Sequence, residues 1–174
     1  MSNELAIRNM TRSEVDELVA WAAREGWNPG VHDAEVFWTT DPEAFLAADL
    51  DGGLIGGGAI TSYSGDYGFM GFFIVRPAYR GRGFGNTLWH ARLERLVDRL
   101  RPGTSIGLDG VFEMQHYYAR GGFVLPCLAT NLPQGVDFAT RRSGPGLPAR
   151  WEARRLWRGA PLRGGMQGGP PVCR

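Results

Sequence analysis

The stretch FFIVRPAYRGRGFGNTLWHARLERL, residues 72–96, passes from an apolar strand through a loop of arginine and glycine into an amphipathic helix. Pro77 ends the strand, the loop occupies 80–85, and the helix is expected to begin near Asn86. Glycine lets an anion approach the backbone without meeting a Cβ, and a helix presents unpaired N–H groups at its positive amino end. The stretch therefore predicts a backbone site for phosphate.

Two common phosphate loops do not fit the spacing. A P-loop needs a lysine after its last glycine, and all 19 basic residues of this chain are arginine. A dinucleotide fingerprint, G-x-G-x-x-G, starting at Gly81 would need glycine in place of Asn86. Starting at Gly83, it would need glycine in place of Leu88. Both alternatives are therefore excluded, and the lack of lysine also excludes Schiff-base catalysis.

The loop reads R-x-x-G-x-G, and with its flanking strand and helix it resembles the acyl-CoA-binding motif of the GNAT superfamily of N-acyltransferases. The segment YYARGGF, 117–123, is similar to the Y-x-x-x-G-F segment found later in that family. The resemblance runs from Leu5 to about Leu132. The run EGWNPG, 25–30, is similar to a bacterial subset of the family whose members often continue into a second, carboxy-terminal domain.

The resemblance implies a mixed α/β (α+β) structure with the GNAT fold. This fold is a central mixed, mostly antiparallel sheet of six to seven strands, flanked by about four helices and splayed between strands 4 and 5. The patterns in the chain predict a compatible order of elements. The expected elements are a strand at 5–10, a helix capped by Thr11 or Ser13 and ended by Gly26, a short helix at 34–38 or 42–47, strands separated by hairpin turns at 51–53 and 64–66, a helix from 86 to about 101, a strand at 104–109, a short helix stopped by Gly121 and Gly122, and last strands within 123–132.

The resemblance implies acetyl-CoA as the cofactor. Backbone N–H groups from Gly81 through Asn86 are expected to bind the pyrophosphate of coenzyme A. The segment 73–75 is expected to pair with the pantetheine arm, because pantetheine amides can bond to an exposed strand edge. The implied cofactor-binding residues are Phe73, Ile74, Val75, Arg80, Gly81, Arg82, Gly83, Phe84, Gly85 and Asn86.

Tyr118 stands where the family's tyrosine stands, which implies that it protonates the thiolate released when an amine attacks the thioester. Its neighbour Tyr117 is the alternative. Val111 replaces an asparagine that many members carry, and the strand at 104–109 lacks the glutamate base of some members. The base that accepts the amine proton is left open among Asp109, Glu113, His116, Glu25 and a chain of waters. We take Tyr118, Asp109 and Glu113 as the candidate catalytic residues.

The segment EGWNPGVHD, 25–33, lies between the first two expected helices, the region that usually walls the acceptor pocket in the implied fold. Its aromatic and acidic side chains are suited to attract an ammonium group by cation–π contact and charge. The acceptor is therefore expected to be a small amine or an amino acid. The candidate substrate-binding residues are Glu25, Trp27, Asn28, His32, Asp33 and Trp38.

The composition limits other functions. A formal net charge of +1, from 19 basic and 18 acidic residues, argues against a nucleic-acid partner. The two cysteines, Cys127 and Cys173, and three scattered histidines predict no metal site and no disulfide framework. No signal peptide or membrane span is predicted, so we expect a cytoplasmic protein without a membrane partner. The resemblance of the EGWNPG run implies a bacterial source.

One acyltransferase domain is expected at 1–140, followed by a flexible Gly/Pro/Arg-rich tail at 141–174. The leading interpretation is an acetyl-CoA-dependent N-acetyltransferase, in which a primary amine attacks the thioester directly within a ternary complex. The alternative is an acyl-CoA-binding sensor or regulatory domain without transfer activity, and a third is nucleic-acid binding by the tail. The acceptor, the acyl length and the oligomeric state, including a homodimer, stay open.

Overall fold

The computed structural model describes residues 4–123 and 136–142. The strands are β1 Leu5–Asn9, β2 Phe45–Leu50, β3 Gly53–Tyr63, β4 Tyr67–Val75, β5 Ser105–Val111 and β6 Val136–Arg142. The helices are α1 Arg12–Arg24, α2 Asp33–Thr40, α3 Phe84–Asp98 and α4 Gln115–Arg120. No helix in these two ranges is both long and apolar enough to cross a membrane.

The strands form one mixed sheet, in which their spatial order is their order along the chain. Neighbouring strands run antiparallel except β4 and β5, which are parallel and joined through the long helix α3. Five strands lie within 4–123, and β6 pairs with β5 at the far edge. The mixed α/β class predicted from the sequence is confirmed.

Strands β4 and β5 separate part-way along their length. Their parallel register begins with Gly68 opposite Ile106 and ends with Met70 opposite Leu108. Beyond that point β4 continues to Val75 without a recorded pairing to β5 in the described residues. The strands diverge where the opening between strands 4 and 5 was predicted.

A β-bulge in β4 lies beside this opening. Opposite the single residue Gly58 of β3, β4 carries two residues, Phe72 and Phe73, so the register shifts there. Phe72 has a φ of 51°, a left-handed value that is uncommon outside glycine. A bulge bends its strand, leaves a backbone segment outside the regular ladder, and is frequent next to active sites.

Local sequence signals account for the turns and for the first helix. Of the two expected caps, Thr11 and Ser13, Thr11 is the one that caps α1, in a capping box with Glu14. Both predicted hairpins are present, and each has two consecutive residues with positive φ, Asp51 with Gly52 and Ser64 with Gly65. Asp-Gly and similar pairs tolerate that conformation, which suits the twist of the adjoining strands. Strands β2, β3 and β4 therefore form an antiparallel meander, as predicted.

The sheet carries a hydrophobic core on each face. One core packs α1 and α2 against the sheet, with Leu18, Trp21 and Phe45 among its buried residues. The other packs α3 and α4 against the opposite face and includes Trp89 and Tyr118. Strand β4 thus contributes to both cores, with Ile74 on one face and Met70 on the other, whereas the buried hydrophobic residues of β5 lie in the core of α3 and α4.

Two expectations about elements need correction. The short helix is α2 at Asp33–Thr40. The alternative at 42–47 holds only for a single 3-10 turn at Pro42–Ala44, because residues from Phe45 onward form β2. Continuous burial removes the polar–apolar alternation that usually reveals a strand. Helix α3 begins at Phe84, two positions before the expected Asn86. The expected strands within 124–132, Cys127 and the tail beyond Arg142 lie outside the described residues.

Candidate active site

The glycine loop forms the entry to α3. Gly81 and Gly83 have φ values of 74° and 88°, and Gly83 is the N-cap residue of the helix, with no side-chain cap. A Cβ added at either glycine would meet nothing within 4 Å. The loop therefore presents its main chain to open space at the positive end of a helix.

The N–H groups of this loop are available to a ligand. No protein acceptor is recorded in the described residues for the N–H groups of 81–85. The Asn86 N–H, which was also expected to bind phosphate, already donates to the Gly83 carbonyl at 3.0 Å. The unengaged donors thus end one residue earlier than the sequence predicted.

The arginines around the loop have different partners. Arg80 donates from Nε to the Val75 carbonyl at 2.7 Å and forms an ion pair with Glu25. The Arg82 guanidinium lies 5.0 Å from the ring centroid of Phe84 and is exposed. Arg82 is therefore placed to meet an anion at the loop, whereas Arg80 also connects the loop to the end of α1.

Phe73, Ile74 and Val75 lie on the part of β4 that has no partner in β5. The Phe73 ring packs against Trp89, with 5.7 Å between centroids, and stacks on Tyr117 at 6.3 Å. The segment predicted to pair with pantetheine therefore has a free flank toward β5 and an aromatic cluster behind it. This arrangement can accept an extended polar chain as an added strand.

Arg92 is a residue of this site that sequence reasoning missed. Its side chain is fully buried on α3, and Nη2 donates to the Ala59 carbonyl at 2.6 Å and the Gly71 carbonyl at 2.7 Å. The guanidinium lies 5.1 Å from the Phe73 ring centroid. Burial lowers the pKa of Arg92 to about 10, so the group remains a cation at neutral pH. The signal was available, because an arginine stands on the apolar face of the helix between Leu88 and Leu96.

The two neighbouring tyrosines occupy different surroundings. Tyr118, the predicted acid, is buried against Trp89 with 5.4 Å between centroids, and burial raises its pKa. Tyr117 is half-buried between Phe73 and Trp89, its hydroxyl has no recorded partner, and burial raises its pKa to about 12. Both phenols keep their proton at neutral pH, as a general acid must.

The base candidates lie near the end of β5. Asp109 is the first residue of β5 beyond its last pairing with β4, so it lies at the point where the strands separate. Its side chain reaches solvent, but the desolvation of its carboxyl raises its pKa and makes it a stronger base than a free aspartate. Glu113 and His116 are exposed on the turn and helix that follow. Of these three residues, Asp109 alone lies on β5 at the opening.

The predicted acceptor residues do not form one cluster. Glu25 is paired with Arg80, and the Asp33 carboxylate accepts the Gly30 N–H at 2.9 Å, which closes the turn before α2. Trp38 stacks on Phe45 at 6.3 Å between centroids as part of the core. Glu25, Trp27, Asn28 and His32 are exposed, and Asp33 and Trp38 are half-buried.

A family model described as the acetyltransferase (GNAT) family matches residues 12–123. The chain belongs to the GNAT family. A holothin acyltransferase from Pseudoalteromonas sp. (strain SANK 73390) is 33% identical over 104 residues, which cover 60% of this chain and 34% of that protein. This GNAT chain therefore spans about a third of the length of that relative.

Solved GNAT-like structures share the fold at lower identity. Ard1 from Thermoplasma volcanium superposes with a TM-score of 0.67 at 18% identity, over 80% of this chain and 97% of that one. N-acetylglutamate synthase from Neisseria gonorrhoeae, complexed with coenzyme A and L-arginine, gives 0.61 at 16% identity, over 82% and 34%. These similarities show the GNAT fold. The match to the EGWNPG subset stays a prediction.

Proposed function

We propose that this GNAT chain is an acyl-CoA-dependent N-acyltransferase that moves an acetyl group from acetyl-CoA to the primary amine of a small molecule or an amino acid. The observation that carries the proposal is the loop 81–85, whose N–H groups are unengaged at the amino end of α3, beside a strand with a free flank. Pyrophosphate at the loop would direct the pantetheine arm along β4 toward the opening. The holothin acyltransferase likeness supports a small-molecule acceptor.

The proposed reaction needs two proton transfers. The amine nitrogen attacks the thioester carbonyl, the C–S bond breaks, and the thiolate takes a proton from Tyr118. Asp109, or water held by it, accepts the proton that the amine loses. The raised pKa of both groups suits these roles, because the phenol stays protonated and the carboxylate becomes more basic.

One observation favours the alternative of an acyl-CoA sensor without transfer activity. Tyr118 is 8% exposed and packs in the core with Trp89. A tyrosine that stays in the core cannot reach a thiolate. The sensor would bind coenzyme A and leave acetyl-CoA intact.

Thiol release from acetyl-CoA, measured with a panel of small amines and amino acids, decides between these functions. The enzyme releases thiol faster with at least one amine than without any, and in proportion to protein concentration. Binding of coenzyme A without amine-dependent thiol release supports the sensor. Absence of saturable coenzyme A binding contradicts both.

A further inference from the structure

Arg92 brings a positive charge into the core at a single point, beneath the bulge of β4. Its two acceptors are the carbonyls of Ala59 and Gly71, which form the last regular β3–β4 pair before the bulge. The bulge interrupts the ladder directly beyond this pair, so the buried carbonyls at its end need a further donor. One guanidinium nitrogen supplies it for both strands.

The surrounding sequence is fitted to this side chain. A Cβ at Gly58, the β3 residue opposite the bulge, would lie 2.5 Å from Cζ of Arg92. Burying a cation costs several kcal/mol unless it is well compensated, and a leucine would fill a helix face at lower cost. Two of its nitrogens, Nε and Nη1, have no recorded partner. Core stability alone therefore does not account for an arginine here.

The contacts of Arg92 lead to the surface that faces the opening. The guanidinium lies against the Phe73 ring, and that ring in turn stacks on Tyr117. Burial raises the pKa of both tyrosines, and the positive charge of Arg92 partly opposes that rise. The same cation thus contacts the backbone beside the bulge, the Phe73 ring and, through that ring, Tyr117.

We propose that Arg92 is a positioning residue for the pantetheine arm and thioester: it fixes the bulge from below, so that the backbone of 72–75 is held in the orientation that pairs with coenzyme A. The inference rests on the proposed binding of coenzyme A along β4. It adds an internal group that acts through Gly71 and Phe73 and touches neither cofactor nor acceptor.

Two ligands separate this role from a purely structural one. Coenzyme A engages both the loop and β4, whereas its nucleotide fragment, 3′-phospho-ADP, engages the loop alone. The dissociation constant of the fragment divided by that of coenzyme A therefore reports the contribution of β4, and this ratio falls when that contribution is lost. Arg92→Met should change the affinity for the fragment by no more than about twofold. It should lower the affinity for coenzyme A by about tenfold, the equivalent of one or two backbone hydrogen bonds.

The variants are chosen so that impaired folding cannot be mistaken for the effect. Arg92→Lys keeps the charge, but its side chain ends one atom short of Nη2, the nitrogen that donates to both carbonyls, so this variant should lie between wild type and Arg92→Met. Gly58→Ala keeps Arg92 and displaces its guanidinium, and should also lower the ratio.

The control for lost stability is Arg99→Met. Arg99 caps the end of α3 and bonds to the β3 carbonyl of Ile60, one residue pair further from the bulge than Ala59. The change also removes an ion pair with Asp41, so it destabilises the same helix without touching the carbonyls that Arg92 holds.

Equilibrium titrations of these full-length variants give distinct outcomes. A lowered ratio in Arg92→Lys and Gly58→Ala, with an unchanged ratio in Arg99→Met, supports the positioning role even if Arg92→Met does not fold. An unchanged ratio in folded Arg92→Lys and Gly58→Ala overturns it while the proposed function stands. A wild-type protein that binds neither ligand contradicts the proposed function, and the inference falls with it.

Discussion

Tyr117 and Tyr118 are adjacent on α4, yet they face different parts of the molecule. Tyr118 fits the family motif and packs against Gly110 and Trp89 in the core. Tyr117 touches Phe73, on the strand proposed to bind the cofactor. The motif and the packing therefore favour different residues for the same acid role, and the structure shows why the sequence alone left an alternative.

Replacing each tyrosine by phenylalanine distinguishes them. The change removes only the hydroxyl, so the rings continue to pack. If Tyr118 is the acid, Tyr118→Phe lowers amine-dependent thiol release by about tenfold or more, since a positioned acid contributes at least that factor. Tyr117→Phe serves as the control and should retain most of the activity. The opposite order of effects would assign the role to Tyr117.

At the same scale, Arg92 illustrates what a periodic pattern conceals. The helix was expected at the right place, because Leu88, Trp89, Leu93 and Leu96 recur at helical spacing. The same spacing puts Arg92 on the buried face, and Gly58 of β3 supplies the room for it. A charged residue on an apolar stripe opposite glycines is the combination that sequence analysis can search for.

Among the elements, the loop before α3 makes the sharpest prediction. Gly83→Ala places a methyl group in the open space before the N–H donors, at a left-handed φ that costs an L-residue about 1 kcal/mol. We expect coenzyme A affinity to fall by about tenfold, because charge-assisted hydrogen bonds to phosphate are lost or lengthened. Isothermal titration calorimetry with coenzyme A measures this change in affinity.

The hairpin between β2 and β3 provides a matched control for that variant. Gly52 has a φ of 82°, and a Cβ there would also meet nothing within 4 Å. Gly52→Ala therefore introduces the same backbone strain far from the loop. It should lower the melting temperature as much as Gly83→Ala does and leave coenzyme A affinity unchanged. If Gly83→Ala binds coenzyme A as tightly as Gly52→Ala and the wild type do, the loop does not bind phosphate.

The junction of β1 and α1 predicts a pH dependence of stability. Hydrogen bonds from Arg8 lower the pKa of Glu14 to about 2, from 4.5 for the free group. A depressed carboxyl pKa contributes stability above the unfolded value, and that contribution is lost as pH falls from about 4.5 toward 2. Both side chains are partly exposed, so the contribution is about 1 kcal/mol or less.

Urea unfolding of Glu14→Gln at several pH values measures this contribution. Glutamine keeps an acceptor for the Thr11 cap and removes the charge. The variant should be less stable than wild type at pH 7, and the difference should vanish near pH 2. Asp16→Asn, which breaks an exposed pair with Arg12, is the control and should change little. A constant difference across the range would refute the ion-pair account.

For the elements, the sequence was sufficient wherever local chemistry decides the structure. The Thr11 cap and the two hairpin turns follow from residues close together in the chain. The bulge at Phe72 does not, because it arises from the register of β4 against β3, and Arg92, which bonds to the Gly71 carbonyl beside it, lies 21 residues beyond Gly71 along the chain. Strand β6 was also missed: Val136 and Phe138 alternate with Asp137, but only pairing with β5 identifies the strand.

For the whole molecule, the candidate site was predictable in its cofactor half and less so in its acceptor half. The cofactor half rests on backbone geometry at one contiguous loop, which glycine content reveals. The acceptor residues were grouped by closeness in sequence, but Glu25 and Trp38 are engaged with Arg80 and Phe45. Side-chain partners of this kind come from distant elements, so the linear pattern does not show them.

The central claim is that main-chain donors at the start of α3 hold the pyrophosphate and so direct the pantetheine arm along β4. Amide spectra of the isotope-labelled full chain, titrated with coenzyme A and with 3′-phospho-ADP, test it most directly. We predict saturable shifts of the 81–85 amides with both ligands, and of the 72–75 amides with coenzyme A alone. Amides of 81–85 that stay unshifted in saturating coenzyme A would contradict the claim.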